Sequence, residues 1–152
     1  MASLSFELRA VRDIKKGEEL FSSYCDIFRT KSERAEELAP YGFVCACPSC
    51  VGATNETDLL RSELAKRIEE IRADHHAWMK DRSRPNVLAA SLELIAEIDK
   101  EGLNGAPSFI FLLDTVASVY LVSGNTNSAL KYLEQLDNHF RASTGRSLED
   151  NV

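Results

Sequence analysis

The sequence predicts a mostly α protein in which a small β-containing amino-terminal part precedes an antiparallel array of four helices. Three observations predict it. Apolar residues recur at three- and four-residue spacing over separate segments beyond residue 55. Proline and glycine gather at the ends of those segments, where they cost a helix least. Residues 5–23 have instead the short, interleaved texture of extended chain around a turn.

In the amino-terminal part, Phe6, Leu8, Ala10 and Val11 interleave with Glu7, Arg9 and Arg12. Lys15-Lys16-Gly17-Glu18-Glu19 then reads as a polar turn whose glycine accepts a positive φ, and Leu20, Phe21 and Tyr24 follow. Two short strands around this turn are expected. Ser32 to Leu38 has the serine and early acidic residues of a short helix start, and Pro40 is expected to end it. Residues 1–50 supply few large apolar side chains, so this part is expected to lean on the helices that follow.

Val51-Gly52-Ala53-Thr54-Asn55 is a linker, which divides the chain into residues 1–52 and 55–152. Asn55 or Thr57 caps a first long helix carrying Leu60, Leu64, Ile68 and Ile71 to about Lys80. Pro85 opens a second, with Leu88, Leu92, Ile95 and Ile98, closed by Gly102. Pro107 opens a third, with Ile110, Leu113, Val116, Ala117 and Tyr120, closed by Gly124. Asn125 or Thr126 starts a fourth, with Ala129, Leu133, Leu136 and Phe140, closed near Gly145.

The chemistry concentrates in Tyr41-Gly-Phe43-Val-Cys45-Ala-Cys47-Pro-Ser-Cys50. Three thiols within six residues supply three of the four soft ligands a tetrahedral zinc site takes, so a fourth must come from elsewhere. The bland alternative is a set of buried thiols. The four cysteines are enough for two disulfides, but three so close together do not pair comfortably. The start lacks a basic region followed by a long apolar segment, so no secretory signal is read there. Reduced thiols in the cytoplasm or nucleus are the expectation.

Net charge is −6 and the isoelectric point near 5.1, a balance that repels phosphate backbones and argues against general nucleic-acid binding. It is compatible with basic peptide partners. No stretch approaches the ~18 uninterrupted apolar residues of a membrane helix.

Arg12-Asp13-Ile14-Lys15-Lys16-Gly17-Glu18-Glu19-Leu20-Phe21-Ser22-Ser23-Tyr24 resembles the closing segment of a SET domain, and Cys45 to Cys50 resembles the post-SET zinc motif. The short helix and Tyr41-Gly42-Phe43 between them are similar to the SET-and-MYND branch of protein-lysine methyltransferases. Ala117, Tyr120, Gly124, Ala129, Leu133 and Leu136 resemble the small-and-large pattern of a tetratricopeptide helix–turn–helix, similar to that branch's carboxy-terminal domain. The resemblance covers residues 6–50 and 57–145.

The resemblance implies roles residue by residue. Tyr24 falls on the active-site tyrosine, beside which a methyl group passes from S-adenosylmethionine to a lysine amine of a protein, a histone among the candidates. Tyr41 falls on a wall of the lysine channel and Phe43 on the surface that stacks against the cofactor's adenine. Cys45, Cys47 and Cys50 fall on three post-SET zinc ligands. Departures accompany these matches. Neither the family's glycine-rich cofactor loop nor its Asn-His-Ser-Cys-type segment, the usual source of the fourth zinc cysteine, occurs in these residues. Cys25 follows Tyr24 at a position the family does not use for metal. These 152 residues are therefore expected to correspond to the later part of such an enzyme and to lack turnover alone.

Plainer roles stand beside these. Tyr24 alone reads as a strand tyrosine, and Tyr41 and Phe43 as core aromatics. His75 and His76 are expected to be solvated on a charged helix, and His139 to lie on the surface. The helical array is either a stabilising bundle or a peptide-binding module. The alternative function is accordingly a non-catalytic interaction module with a structural cysteine cluster.

Overall fold

The computed structural model describes residues 10, 13–20 and 22–144. The expected first strand therefore lies outside the described residues except for Ala10, as do Phe21 and Gly145. The turn at Lys15–Glu18 forms as expected, with Gly17 at φ 85°. On its far side the described residues Glu19, Leu20, Ser22 and Ser23 are irregular, and among the described residues there is no strand. Leu20 is exposed.

Six helices follow. α1 spans Lys31–Leu38 and α2 Pro48–Val51, with a 3₁₀ turn, Ala39–Tyr41, between them. α3 (Asn55–Lys80), α4 (Leu88–Lys100), α5 (Pro107–Val122) and α6 (Thr126–Thr144) form the array. The cap of α1 is Thr30, whose side chain accepts from the N–H of Glu33 while the Glu33 carboxylate accepts from the N–H of Thr30. Pro40 sits inside the 3₁₀ turn, where its missing N–H is not needed. Thr54 caps α3 in the same reciprocal way with Thr57, which makes Asn55 its first residue.

Pro85 does not open α4. Asn86 accepts a hydrogen bond from the N–H of Leu88 at 3.1 Å, so the first turn starts three residues later and Pro85 stays in the connection. Along the helix Leu94 and Ile98 are fully buried and Leu92 only partly. Pro107 does open α5, and Gly124 at φ 75° turns the chain into α6. A non-glycine residue would reach that left-handed conformation only at a cost.

α5 occupies the centre. Phe109, Leu112, Leu113, Thr115, Val116, Ala117 and Val119 are buried all around it, as expected of a helix covered on several faces. It packs on α6, on α4 and, more lightly, on α3. Phe109 meets His139 and Tyr120 meets Tyr132, so α5 and α6 run antiparallel about the Gly124 turn. His75 meets Thr115 and Arg72 meets Phe111, so the two helices advance together and α3 runs parallel to α5, with α4 in contact with both. α3 buries Leu64, Ile68, Ile71, His75 and Trp78, a stripe at alternating spacings of four and three.

Two histidines depart from expectation. His75 is buried, because its position continues the apolar stripe of α3, and it bonds Thr115 and packs on Trp78 and Phe111. His139 is half-buried against the Phe109 ring, with centroids 5.1 Å apart. His76 is exposed, as expected.

The segment before α3 is tied to the array through Phe28, a member of the same buried cluster as Leu64, Leu94 and Leu112. The N–H of Lys31 donates to Asp58 at 2.9 Å, and Arg61 donates to the carbonyl of Ile27.

Candidate metal centre and aromatic cluster

Local rules build the thiol site. Gly42 at φ 72° ends the 3₁₀ turn, and its N–H bonds the carbonyl of Ala39. Residues 43–46 follow without regular structure. Cys47 is extended at the start of α2, where Pro48 has the φ a first helical position requires. The N–H groups of Cys50 and Val51 both bond the Cys47 carbonyl, so a single helical turn folds Cys50 back over Cys47. Cys45, two residues before Cys47, completes the set. The three sulfurs lie within 4.8 Å of one another.

Four sulfurs each about 2.3 Å from a tetrahedral zinc are separated by roughly 3.8 Å. The observed spread therefore fits three ligands of such an ion with little rearrangement. Cys50 is buried, Cys45 and Cys47 partly so. The thiols influence one another: for Cys47 burial opposes ionisation, but hydrogen bonds from Cys45 and Cys50 outweigh it and set the thiol below its ordinary value. The Cys45 thiol is raised, since burial and its thiol neighbours together overcome the Cys47 N–H that favours its charged form. Cys25 stands outside the trio, and its thiol is pushed up by burial and then by the Glu37 carboxylate.

A buried arginine closes the site from behind. Arg34, on the inward face of α1 with Leu38, donates to the carbonyls of Arg29 and Ser49 and lies 3.8 Å from Cys50 Sγ. Arg61 lies close enough to Arg34 and the Cys50 and Cys47 sulfurs to feel their charge. Sequence reading missed both. The available signal was spacing, because Arg34 precedes Leu38 by four residues and shares its face.

Beside the thiols, Tyr24, Tyr41 and Phe43 form one aromatic cluster. Ring centroids are 5.6 Å apart for Tyr24 and Tyr41, 6.2 Å for Tyr24 and Phe43, and 6.5 Å for Tyr41 and Phe43. Edge-to-face and tilted contacts of this length are attractive. The turn bearing Tyr24 is held to α1: Arg29 pairs with Glu37 at 2.7 Å, and the same carboxylate accepts from the Asp26 N–H. The rings are about half exposed, at 60%, 59% and 45%, which is open enough to receive a further surface. The six residues singled out in the sequence thus gather into two adjoining groups, linked through Phe43-Val44-Cys45.

No protein-family model matches the chain. The chain is 40% identical over 81 residues to histone-lysine N-methyltransferase SMYD3 of Homo sapiens and 36% identical over 69 residues to N-lysine methyltransferase SMYD2-B of Danio rerio. It is 49% identical over 55 residues to the SET domain and MYND-type zinc finger protein 6 of Schizosaccharomyces pombe. These matches cover 47%, 45% and 34% of this chain but only 19%, 15% and 11% of the respective relatives. Partial relatives of this chain are therefore SET-and-MYND proteins, two of them lysine methyltransferases by name. The helical fold fits a tetratricopeptide-like arrangement, and no helix among the described residues is long and apolar enough to cross a membrane.

Proposed function

We propose that residues 1–52 are the end of a SET domain with its post-SET zinc motif, and that residues 55–152 are a tetratricopeptide-like helical domain. On this reading they belong to a SET-and-MYND-type enzyme that methylates protein lysines, histones among them, in the cytoplasm or nucleus. The observation that carries the reading is one juxtaposition: a trio of thiols within 4.8 Å, joined by a single residue to a cluster of three aromatic rings.

Each side chain then has a task. S-adenosylmethionine supplies the methyl group when bound. The Phe43 ring offers a flat face for its adenine, and the Tyr41 ring walls the path of the incoming lysine. A neutral amine has to be held in line with the methyl group, so the chain's contribution is alignment and exclusion of water. The Tyr24 ring is in T-shaped contact with both other rings, and its hydroxyl would stand beside the incoming amine. Cys45, Cys47 and Cys50 would hold a zinc ion, and the resulting cross-link would fix Phe43. A tetrahedral zinc would need a fourth ligand besides these three, and Cys25 lies outside the set.

Residues 1–152 contain neither the glycine-rich loop nor the Asn-His-Ser-Cys-type segment, so the reading expects no turnover from them alone. Methyl transfer from labelled S-adenosylmethionine to a lysine peptide tests this, with the chain alone and with a co-expressed polypeptide supplying those segments. Transfer should occur only in the second case and be lost with Tyr24→Phe. Turnover by the chain alone, or a reconstituted activity indifferent to Tyr24→Phe, overturns it.

A second reading, a non-catalytic interaction module, draws on a cleft of about 320 Å³ lined by Ile95, Asp99, Asn104, Phe109, Gln135 and His139. Its lining is mixed, with Ile95 and Phe109 apolar and Asp99 the one carboxylate, which suits a basic peptide. Binding of a lysine-rich peptide that Asp99→Asn leaves unchanged would discard this use of the cleft.

A further inference from the structure

Burying a guanidinium is costly unless its charge and its donors are both matched. Arg34 is 4% exposed, and its position four residues before Leu38 commits it to the inward face of α1. Both terminal nitrogens are engaged. One nitrogen bonds the Arg29 carbonyl, and the other bonds the Ser49 carbonyl at 3.2 Å and approaches Cys50 Sγ at 3.8 Å. The charge is another matter. Among the described residues no carboxylate lies within ion-pair distance of Arg34; the nearby Glu37 is engaged by Arg29. Of the three acceptors that Arg34 meets, two are neutral carbonyls and the third is the Cys50 sulfur, which carries charge when it holds a metal; the Cys25 thiol also lies within reach of the Arg34 charge.

A zinc ion with three thiolates carries a net charge of −1, from three negative ligands and a divalent cation. A cation facing one of those sulfurs neutralises the remainder, and an N–H directed at a metal-bound sulfur fixes the ligand's orientation. Arg34 has both properties. It also reaches back to the Arg29 carbonyl, in the turn that follows Tyr24, so one side chain spans the aromatic cluster's turn, α1 and the thiol loop.

We infer that Arg34 is the positioning residue of the thiol site: it holds Cys50 and Ser49 against the Tyr24 turn and is the counter-cation of a metal thiolate at Cys45, Cys47 and Cys50. This inference rests on the zinc reading above. Arg61 supplies a comparison, because it lies within electrostatic reach of Cys50 and Cys47 but gives its hydrogen bond to Ile27 instead.

The test uses the full chain with Zn²⁺ competed against a chromophoric chelator, and with Co²⁺ as a spectroscopic probe of thiolate geometry. Arg34→Met should weaken Zn²⁺ binding roughly 10–100-fold and alter the Co²⁺–thiolate bands. Arg34→Lys keeps the charge without the fork and should recover part of the affinity. Arg61→Met should change affinity less than about threefold, the loss expected of distant, screened charge. Helix content by circular dichroism checks that each variant folds; if Arg34→Met does not, Arg34→Lys, which should still fall short of the native affinity, carries the comparison. Native-like affinity and spectra in both Arg34 variants overturn the inference while leaving the zinc reading intact. Equal losses at Arg34 and Arg61 overturn the positioning role in favour of charge alone. A native chain that binds neither metal overturns the zinc reading and this inference with it.

Discussion

His75 Nδ1 lies 3.1 Å from Thr115 Oγ1, a buried hydrogen bond that joins α3 to α5 across a mainly apolar core. Burial pushes the His75 imidazole below its ordinary value; Asp114 opposes the shift, while Arg82 and His76 reinforce it. His139 is depressed too, by burial against a smaller opposing effect of Asp99.

The consequence is acid sensitivity. Unfolded chains take up these protons near pH 6.5, whereas the folded protein resists them until lower pH. Stability contributed by the two neutral imidazoles is therefore complete above about pH 6.5 and is lost as pH falls towards the folded values. Thermal midpoints should drop by a few degrees between pH 7.5 and 5.5, at about 2–4 °C per kcal/mol for a chain of this size. The drop should shrink in His75→Gln and shrink further with His139→Gln added. Identical drops in all three proteins would contradict this.

Phe28 is 3% exposed and belongs to the array's core, although it lies four residues beyond Tyr24. Phe28→Ala should cost about 3 kcal/mol, the usual scale for truncating a buried phenylalanine. The loss should fall unevenly. Amide exchange should quicken at residues 24–38, while residues 107–122 keep most of their protection. Uniform acceleration along the chain would mean that the two parts unfold as one.

Gly124 tests the α5–α6 turn. A Cβ there meets nothing within 4 Å, so any cost of Gly124→Ala arises from the backbone at φ 75°. That cost should be about 1–2 kcal/mol in urea unfolding. Gly124→Asn should cost less, since asparagine tolerates the left-handed region better. Equal stability of all three forms would show that the turn relaxes freely.

The helices were legible in the sequence because their apolar spacing and their breakers agree. α5 opens at Pro107 and turns at Gly124 as its sequence implies. α4 starts three residues after Pro85, where Asn86 accepts from the Leu88 N–H just ahead of the helix and Val87 is the cap residue. His75 was misjudged by chemical type, when its four-and-three spacing with Ile71 and Trp78 already put it inside. The thiol trio and the aromatic residues were visible as a motif, and the geometry adds their proximity. Arg34 escaped notice because a charged residue on a polar short helix looks solvated until its partners are known. The strand pairing expected before Tyr24 depends on partners that periodicity does not specify.

The most direct measurement is the metal content of the purified chain, by atomic spectroscopy after exchange into metal-free buffer. One zinc per chain is expected, retained in Cys25→Ser and lost when Cys45, Cys47 and Cys50 are all changed to serine. A zinc-free native chain that also fails to take up added Zn²⁺, or zinc that survives the triple substitution, would contradict the account.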